Sequence, residues 1–191
     1  LYIMKKLVFL LWLFLTGIQE PVSASVRERI AFDFDWKFRL GDPPGAEVPA
    51  FGDADWESVQ LPHDWSISGV PDPKNGGSMG FFPGGIGWYR KTFEVPAHYT
   101  GKWLYIEFDG VYHGSTVYIN GVELGFRPYG YVGFQYDITP NLKTGQTNVV
   151  AVRVDHSDSP SSRWYSGSGI YRHVWLNVTH PVHVAHWGTY V

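Results

Sequence analysis

Along most of the chain, apolar and polar residues alternate with a period of two. Trp36, Phe38 and Leu40 alternate with Lys37 and Arg39, and Leu104, Ile106 and Phe108 alternate with Tyr105 and Glu107. Val117 and Ile119 share one face, as do Val150, Val152 and Val154, and then Val174, Leu176 and Val178. Successive side chains of a strand point to opposite faces, so each run predicts a strand with one buried side. Asn120-Gly121 suits the positive φ angles of a two-residue hairpin turn and is the firmest turn signal in the chain. No segment shows a convincing helical period. Two stretches, 41–52 and 70–87, are rich in Pro and Gly and read as long loops, and a third connection runs from 155 to 171. Connections longer than about 12 residues are uncommon in a compact domain and tend to carry function. The pattern predicts an all-β fold, an antiparallel jelly-roll β-sandwich of about eight strands with its long loops gathered at one rim.

Composition agrees with that class. Aromatics make up 17% of the 191 residues, with 9 Trp, 12 Tyr and 12 Phe, alongside 22 Gly and 13 Pro. The length suits one sizeable domain. A net charge of -3, from 18 acids and 15 bases spread along the chain, offers no basic stripe for a phosphate backbone, so nucleic acid is excluded as a partner. Met4-Lys5-Lys6 followed by the apolar run 7–15 reads as a secretory signal, with Val22-Ser23-Ala24 as the cleavage site. Residues 1–3 look like an upstream extension. The apolar run 7–18 is shorter than the ~20 residues a spanning helix needs, so no membrane span is expected after cleavage and the product is expected to be secreted or periplasmic. With no Cys, there is neither a disulfide nor a lipid-modified cysteine, and stability must come from packing. The organisation expected is a signal over 1–24, a sandwich over 25–180 and a linker over 181–191.

Candidate chemistry is sparse. Acid/base or nucleophilic hydrolysis commonly draws on two carboxyl groups held side by side. Asp155 and Asp158 are the nearest candidates, with Asp33/Asp35 and Asp53/Asp55 behind them; all read better as solvated surface carboxylates. His63-Asp64 resembles an acid/base couple, but Leu61-Pro62 and Trp65 around it favour a buried His that holds a loop. His183 and His186 are spaced for one helix face but fall in an expected strand, where they would point apart, so no metal site is assigned. Gly84-Gly85-Ile86-Gly87 lacks the Lys-Ser/Thr of a phosphate loop and reads as a corner of the sandwich. No cofactor is called for.

Five segments resemble the N-terminal domain of glycoside hydrolase family 2, especially its β-galactosidase-like members: Leu61-Pro62-His63-Asp64-Trp65; Phe82-Pro83-Gly84-Gly85-Ile86-Gly87-Trp88-Tyr89-Arg90-Lys91; Phe108-Asp109-Gly110-Val111; Tyr118-Ile119-Asn120-Gly121; and Arg163-Trp164-Tyr165-Ser166-Gly167-Ser168-Gly169-Ile170-Tyr171-Arg172. The resemblance runs from about Ile30 to the C-terminus. It implies a galactose-binding-like jelly roll, followed in the family by an immunoglobulin-like domain and a TIM barrel that carries the two catalytic glutamates. No catalytic residue is therefore assigned to this chain, and the partners expected are those two domains and a carbohydrate, a terminal β-galactoside or related sugar. By similarity, segments 75–82 and 155–168 would wall a sugar subsite. Arg163 and Trp164 are the leading contacts, Arg as a fork of donors and Trp as a flat face for a pyranose, and Asn75 follows by approximate position. The alternative places Trp164 in the core and Arg163 in a surface pair. Two functions remain open: the non-catalytic lobe of a β-galactosidase-like enzyme, with a large apolar docking face, or a free-standing secreted carbohydrate-binding module whose platform is Trp88, Trp164 and Tyr165.

Overall fold

A computed structural model describes residues 27–75, 77–158 and 164–190, apart from the side chain of Ser78. The expected signal and its cleavage site lie outside the described residues. Among the described residues, ten strands form two antiparallel sheets. One sheet has the order β1-β10-β5-β8, built from β1 (Arg27–Ala31), β5 (Trp103–Phe108), β8 (Phe134–Asp137) and β10 (Val174–Thr179). The other has the order β3-β2-β4-β9-β6-β7, built from β2 (Trp36–Leu40), β3 (Glu57–Val59), β4 (Gly85–Glu94), β6 (Ser115–Ile119), β7 (Val122–Arg127) and β9 (Thr147–His156). The chain passes repeatedly from one sheet to the other, and the inward faces meet in a single core of Trp36, Tyr89, Ile106, Phe108, Val152 and their neighbours. The all-β antiparallel sandwich is thus the observed architecture.

Alternation explains most of it. In β5, Leu104, Ile106 and Phe108 are buried while Trp103, Tyr105 and Glu107 face outward. At the β6–β7 turn, Asn120 and Gly121 have φ of 51° and 84°, the geometry the dipeptide promised. The centres of β4 and β9 depart from alternation, because residues 87–91 and 148–152 are buried on both faces. The cause is the 41–56 segment, which leaves β2 at Leu40 and folds back over the outer face of the six-stranded sheet. There Ala46 and Trp56 pack on Trp88 and Ala151. Arg90, 1% exposed, anchors this cover by donating to the carbonyls of Ala46 and Val48 and to Asp53 at 2.9 Å. Loop 41–52 is therefore a lid on the sheet and not part of the rim.

Three other expectations change. The stretch 85–87 belongs to β4, with Gly85 opposite His156 and Gly87 opposite Val154. A Cβ on Gly87 would come within 2.8 Å of Phe38 and 2.9 Å of Trp65, so the glycine is there to let two rings close over the strand. Leu40, the third member of its alternating set, is exposed at the strand's end. His183 and His186 follow β10 in irregular chain, not in a strand. The His183 ring packs edge-on against Trp103 and Tyr105.

Candidate functional site

Because β4 and β9 are antiparallel, the start of β4 lies beside the end of β9. The segments that enter β4 and leave β9 therefore emerge together and enclose a cleft of about 370 Å³. Its apolar floor is Met79, Phe82 and Pro83, and its polar edge is Lys74, Asn75, His156, Ser157 and Asp158. The volume lies within the range of about 300–1,000 Å³ usual for small-molecule sites.

A buried polar network fixes the walls. His156 Nδ1 is hydrogen-bonded to Ser168 Oγ at 2.6 Å, Ser168 Oγ to Ser66 Oγ at 2.5 Å, and Ser66 Oγ donates to the Pro83 carbonyl at 2.7 Å. Four segments of the chain are tied in one line. Asp64 adds a second knot: its Oδ1 accepts from the backbone amides of Ser66 at 3.0 Å and Ser168 at 2.8 Å, and its Oδ2 accepts from the Tyr165 hydroxyl at 2.5 Å. Burial and that bond to Asp64 push the Tyr165 hydroxyl well above its ordinary range. Burial, then the nearby His113, holds the His156 imidazole below its usual value, which keeps it neutral. Ser168 and His156 look like a nucleophile and its base, yet Ser168 is wholly buried and its hydroxyl faces only Ser66 and His156. The pair is a brace.

The carboxylates sort in the same way. Burial opposes the charge of Asp155, but hydrogen bonds from Ser157 and the Arg153 guanidinium at 3.2 Å outweigh it and hold the carboxyl below its ordinary range. Asp33 accepts from the Val174 amide and pairs with His173, Asp53 binds Arg90, and Asp55 binds Arg39. Among the described lining residues, Asp158 is the one carboxylate in the cleft.

Residues 81–181 match the family described as glycosyl hydrolases family 2, sugar binding domain. The chain belongs to glycoside hydrolase family 2. It is 57% identical to a β-galactosidase of Bacteroides ovatus over 87% of its own length and 20% of that protein. It is 34% identical to a β-glucuronidase of Formosa agariphila over 86% of its length and 18% of that protein. Among solved structures, a β-glycosidase from Bacteroides vulgatus superposes with a TM-score of 0.80 at 49% identity, covering 83% of this chain and 21% of that one. The chain spans about a fifth of the length of these relatives.

Within this family 2 domain, the sequence-assigned residues take different places. Asn75 lies on the cleft lining, but its side-chain amide donates to the Phe81 carbonyl at 2.9 Å and so also shapes its own loop. Trp164 is 60% exposed, which removes the core alternative, and its indole N–H donates to the Tyr131 hydroxyl at 3.0 Å. Arg163 lies outside the described residues. The loop carrying Trp164 does reach the Asn75 loop: the Tyr165 ring meets Phe82 at 5.9 Å, and Ser166 Oγ lies 3.1 Å from Met79 Sδ. Trp88 cannot join an open platform, since it is buried beneath the 41–56 segment, stacked on Tyr118 and bonded to Asp42. His63 does hold a loop, though half-buried: it shares a 2.8 Å hydrogen bond with the buried Tyr89 hydroxyl, and burial lowers its pKa. Sequence reasoning missed Lys74 and His156 on the lining and Ser66 behind it. The signal available was the pairing of β4 with β9, which brings both neighbourhoods to one end.

Proposed function

We propose that the chain is the sugar-binding lobe of a secreted family 2 enzyme that hydrolyses terminal β-galactosides, and that the cleft lined by Lys74, Asn75, Met79, residues 82–85 and residues 156–158 forms one wall of its substrate pocket. The carrying observation is the cleft itself: an apolar floor with a ring of polar side chains suits one sugar unit, while Asp158 alone cannot supply the paired carboxyls that retaining hydrolysis requires. The catalytic pair then comes from polypeptide outside these 191 residues, in the immunoglobulin-like and barrel domains the family architecture implies. The 57% identity to a β-galactosidase supports the galactoside. Lys74 favours a second reading, because an ammonium group on the lining would attract the carboxylate of a hexuronic acid.

Calorimetric titration of the purified chain with galactose and with glucuronic acid, beside an assay on the nitrophenyl β-galactoside and β-glucuronide, tests both points. Galactose binding without turnover is the expected result. Turnover by this chain alone overturns the assignment of the acids elsewhere, and preferential glucuronate binding that is lost in Lys74→Met moves the substrate to the second reading. Export is tested by the N-terminus of the protein recovered from the producing cells, expected at Ser25.

A further inference from the structure

Beside the cleft lies a cluster of rings that neither the core nor the cleft uses. Tyr129, Tyr131 and Trp164 are 62%, 42% and 60% exposed. They are nevertheless fixed. The Tyr129 and Tyr131 rings meet at 5.6 Å, the Trp164 indole N–H is bonded to the Tyr131 hydroxyl, and the Tyr131 ring rests edge-on against the buried Tyr112 at 5.3 Å. From below, Tyr112 exchanges both backbone hydrogen bonds with Gly169, and the Tyr171 hydroxyl donates to the Gly130 carbonyl at 2.8 Å, which clamps the loop carrying both tyrosines. Exposed rings held this way lose little freedom on binding.

We infer that Tyr129, Tyr131 and Trp164 form an aromatic shelf that takes the second sugar unit of an oligosaccharide whose terminal unit occupies the cleft. The position follows from contact: Tyr112, which supports the shelf, also packs its ring on His156 at 5.1 Å, and His156 lines the cleft. One buried ring separates the two surfaces. The chemistry follows from the side chains. A pyranose presents a C–H face to a ring and hydroxyls at its edge, and each member of the shelf joins an apolar face to a polar tip. All three rings carry a hydrogen-bonding group that can meet a sugar hydroxyl. The assignment of the ligand as a carbohydrate rests on the function proposed above; the shelf as a distinct position does not.

The test is calorimetric titration of the chain with galactose and with a β-1,4-linked galactotriose, for the native protein and for Tyr129→Ala, Trp164→Ala and Tyr129→Phe. Stacked aromatic contacts contribute about 0.5–1.5 kcal/mol beyond area, so each alanine variant is expected to weaken the trisaccharide by about 2- to 13-fold. Galactose affinity should stay unchanged in Tyr129→Ala, and Tyr129→Phe should keep most of the trisaccharide affinity. Trisaccharide affinity equal in native and alanine variants overturns the shelf, and so does equal loss for both sugars. If galactose fails to bind but the trisaccharide binds and the alanine variants lose it, the cleft reading falls and the shelf stands. If neither sugar binds the native chain, both fall. Sedimentation of the same proteins covers the other occupant: self-association abolished by the alanine variants, with sugar affinity unmoved, makes the surface a protein contact and overturns the proposal.

Discussion

Residues 41–56 and 66–84 are alike in composition, both dense in glycine and proline, and both leave or enter the sheet at the same end of β2 and β4. One lies flat on the six-stranded sheet with Ala46 and Trp56 buried, while the other stands off the sandwich with Val70 and Phe81 exposed and a cleft behind it. The difference comes from what each meets. The 41–56 segment finds a buried guanidinium, Arg90, whose donors satisfy its carbonyls, together with the apolar surface of Trp88 and Ala151. The described part of the 66–84 segment is held by Ser66 and Pro83 near its ends and by Met79 and Phe82 against Ser166 and Tyr165, with no sheet surface beneath Val70 and Phe81, which stay exposed. Loop composition marks where the chain leaves the sheet; the partner beneath decides whether the loop packs or lines a site.

The sharpest way to break that contrast is Arg90→Leu. Removing the guanidinium leaves several buried carbonyls and Asp53 without their partner, and loss of such a buried pair costs about 3–5 kcal/mol. Urea denaturation should show that loss, and sugar affinity of the remaining folded protein should be little changed. A loss under about 1 kcal/mol would mean that the apolar patch alone holds the cover. On the rim, the comparable change is Gly169→Ala. Gly169 has φ of 122°, and a Cβ there would lie 2.2 Å from the Tyr89 hydroxyl and 2.8 Å from the His63 carbonyl. Strain and displacement together should cost about 2–3 kcal/mol by the same measurement, with sugar affinity falling as well. Asp64→Asn is milder. The amide retains one acceptor, so about 1 kcal/mol of stability is expected to go, while the Tyr165 contact that supports Phe82 of the cleft loosens and sugar affinity falls further than stability does.

The sandwich was legible because its strands are half-buried: Leu104, Ile106 and Phe108 announce a face, and Asn120-Gly121 announces a turn. The places where the pattern misled are those where a third layer intervenes. Ala151 reads as an outward position of β9, and the cover formed by 41–56 buries it. Trp88 read as a platform residue for the same reason. The cleft was only half legible. Its two loops were visible as long irregular stretches, but the brace of Ser66, Ser168 and His156 joins residues as far as 102 positions apart, and no local pattern signals such a meeting. Asn75 was placed by position and Lys74, its neighbour on the lining, was passed over because a lone lysine in a loop carries no pattern.

Acidity should separate the two regions with the smallest but most discriminating effect. The cover contains Asp42, held below the ordinary carboxylate range chiefly by hydrogen bonds from Arg153, with Trp88 contributing and burial opposing. A depressed carboxyl stabilises the fold above its unfolded value of about 3.9 and loses that contribution as pH falls through its folded value. The rim contains His156 and His63, both depressed, first by burial. Between their folded values and the unfolded value of about 6.5, the unfolded chain binds protons that the folded chain does not, so stability rises with pH there. Their contribution is complete above about pH 6.5 and drains away as pH drops below it, which is a full two units before the cover responds. Hydrogen exchange at several pH values, corrected for intrinsic rates, should therefore show the amides of Ser168 and Gly169 losing protection as pH falls below about 6.5, with Val48 and Phe51 holding until about pH 4. His156→Gln should flatten the first change and leave the second. Simultaneous loss in both segments would mean that cover and rim open as one unit and that the division drawn between them is wrong.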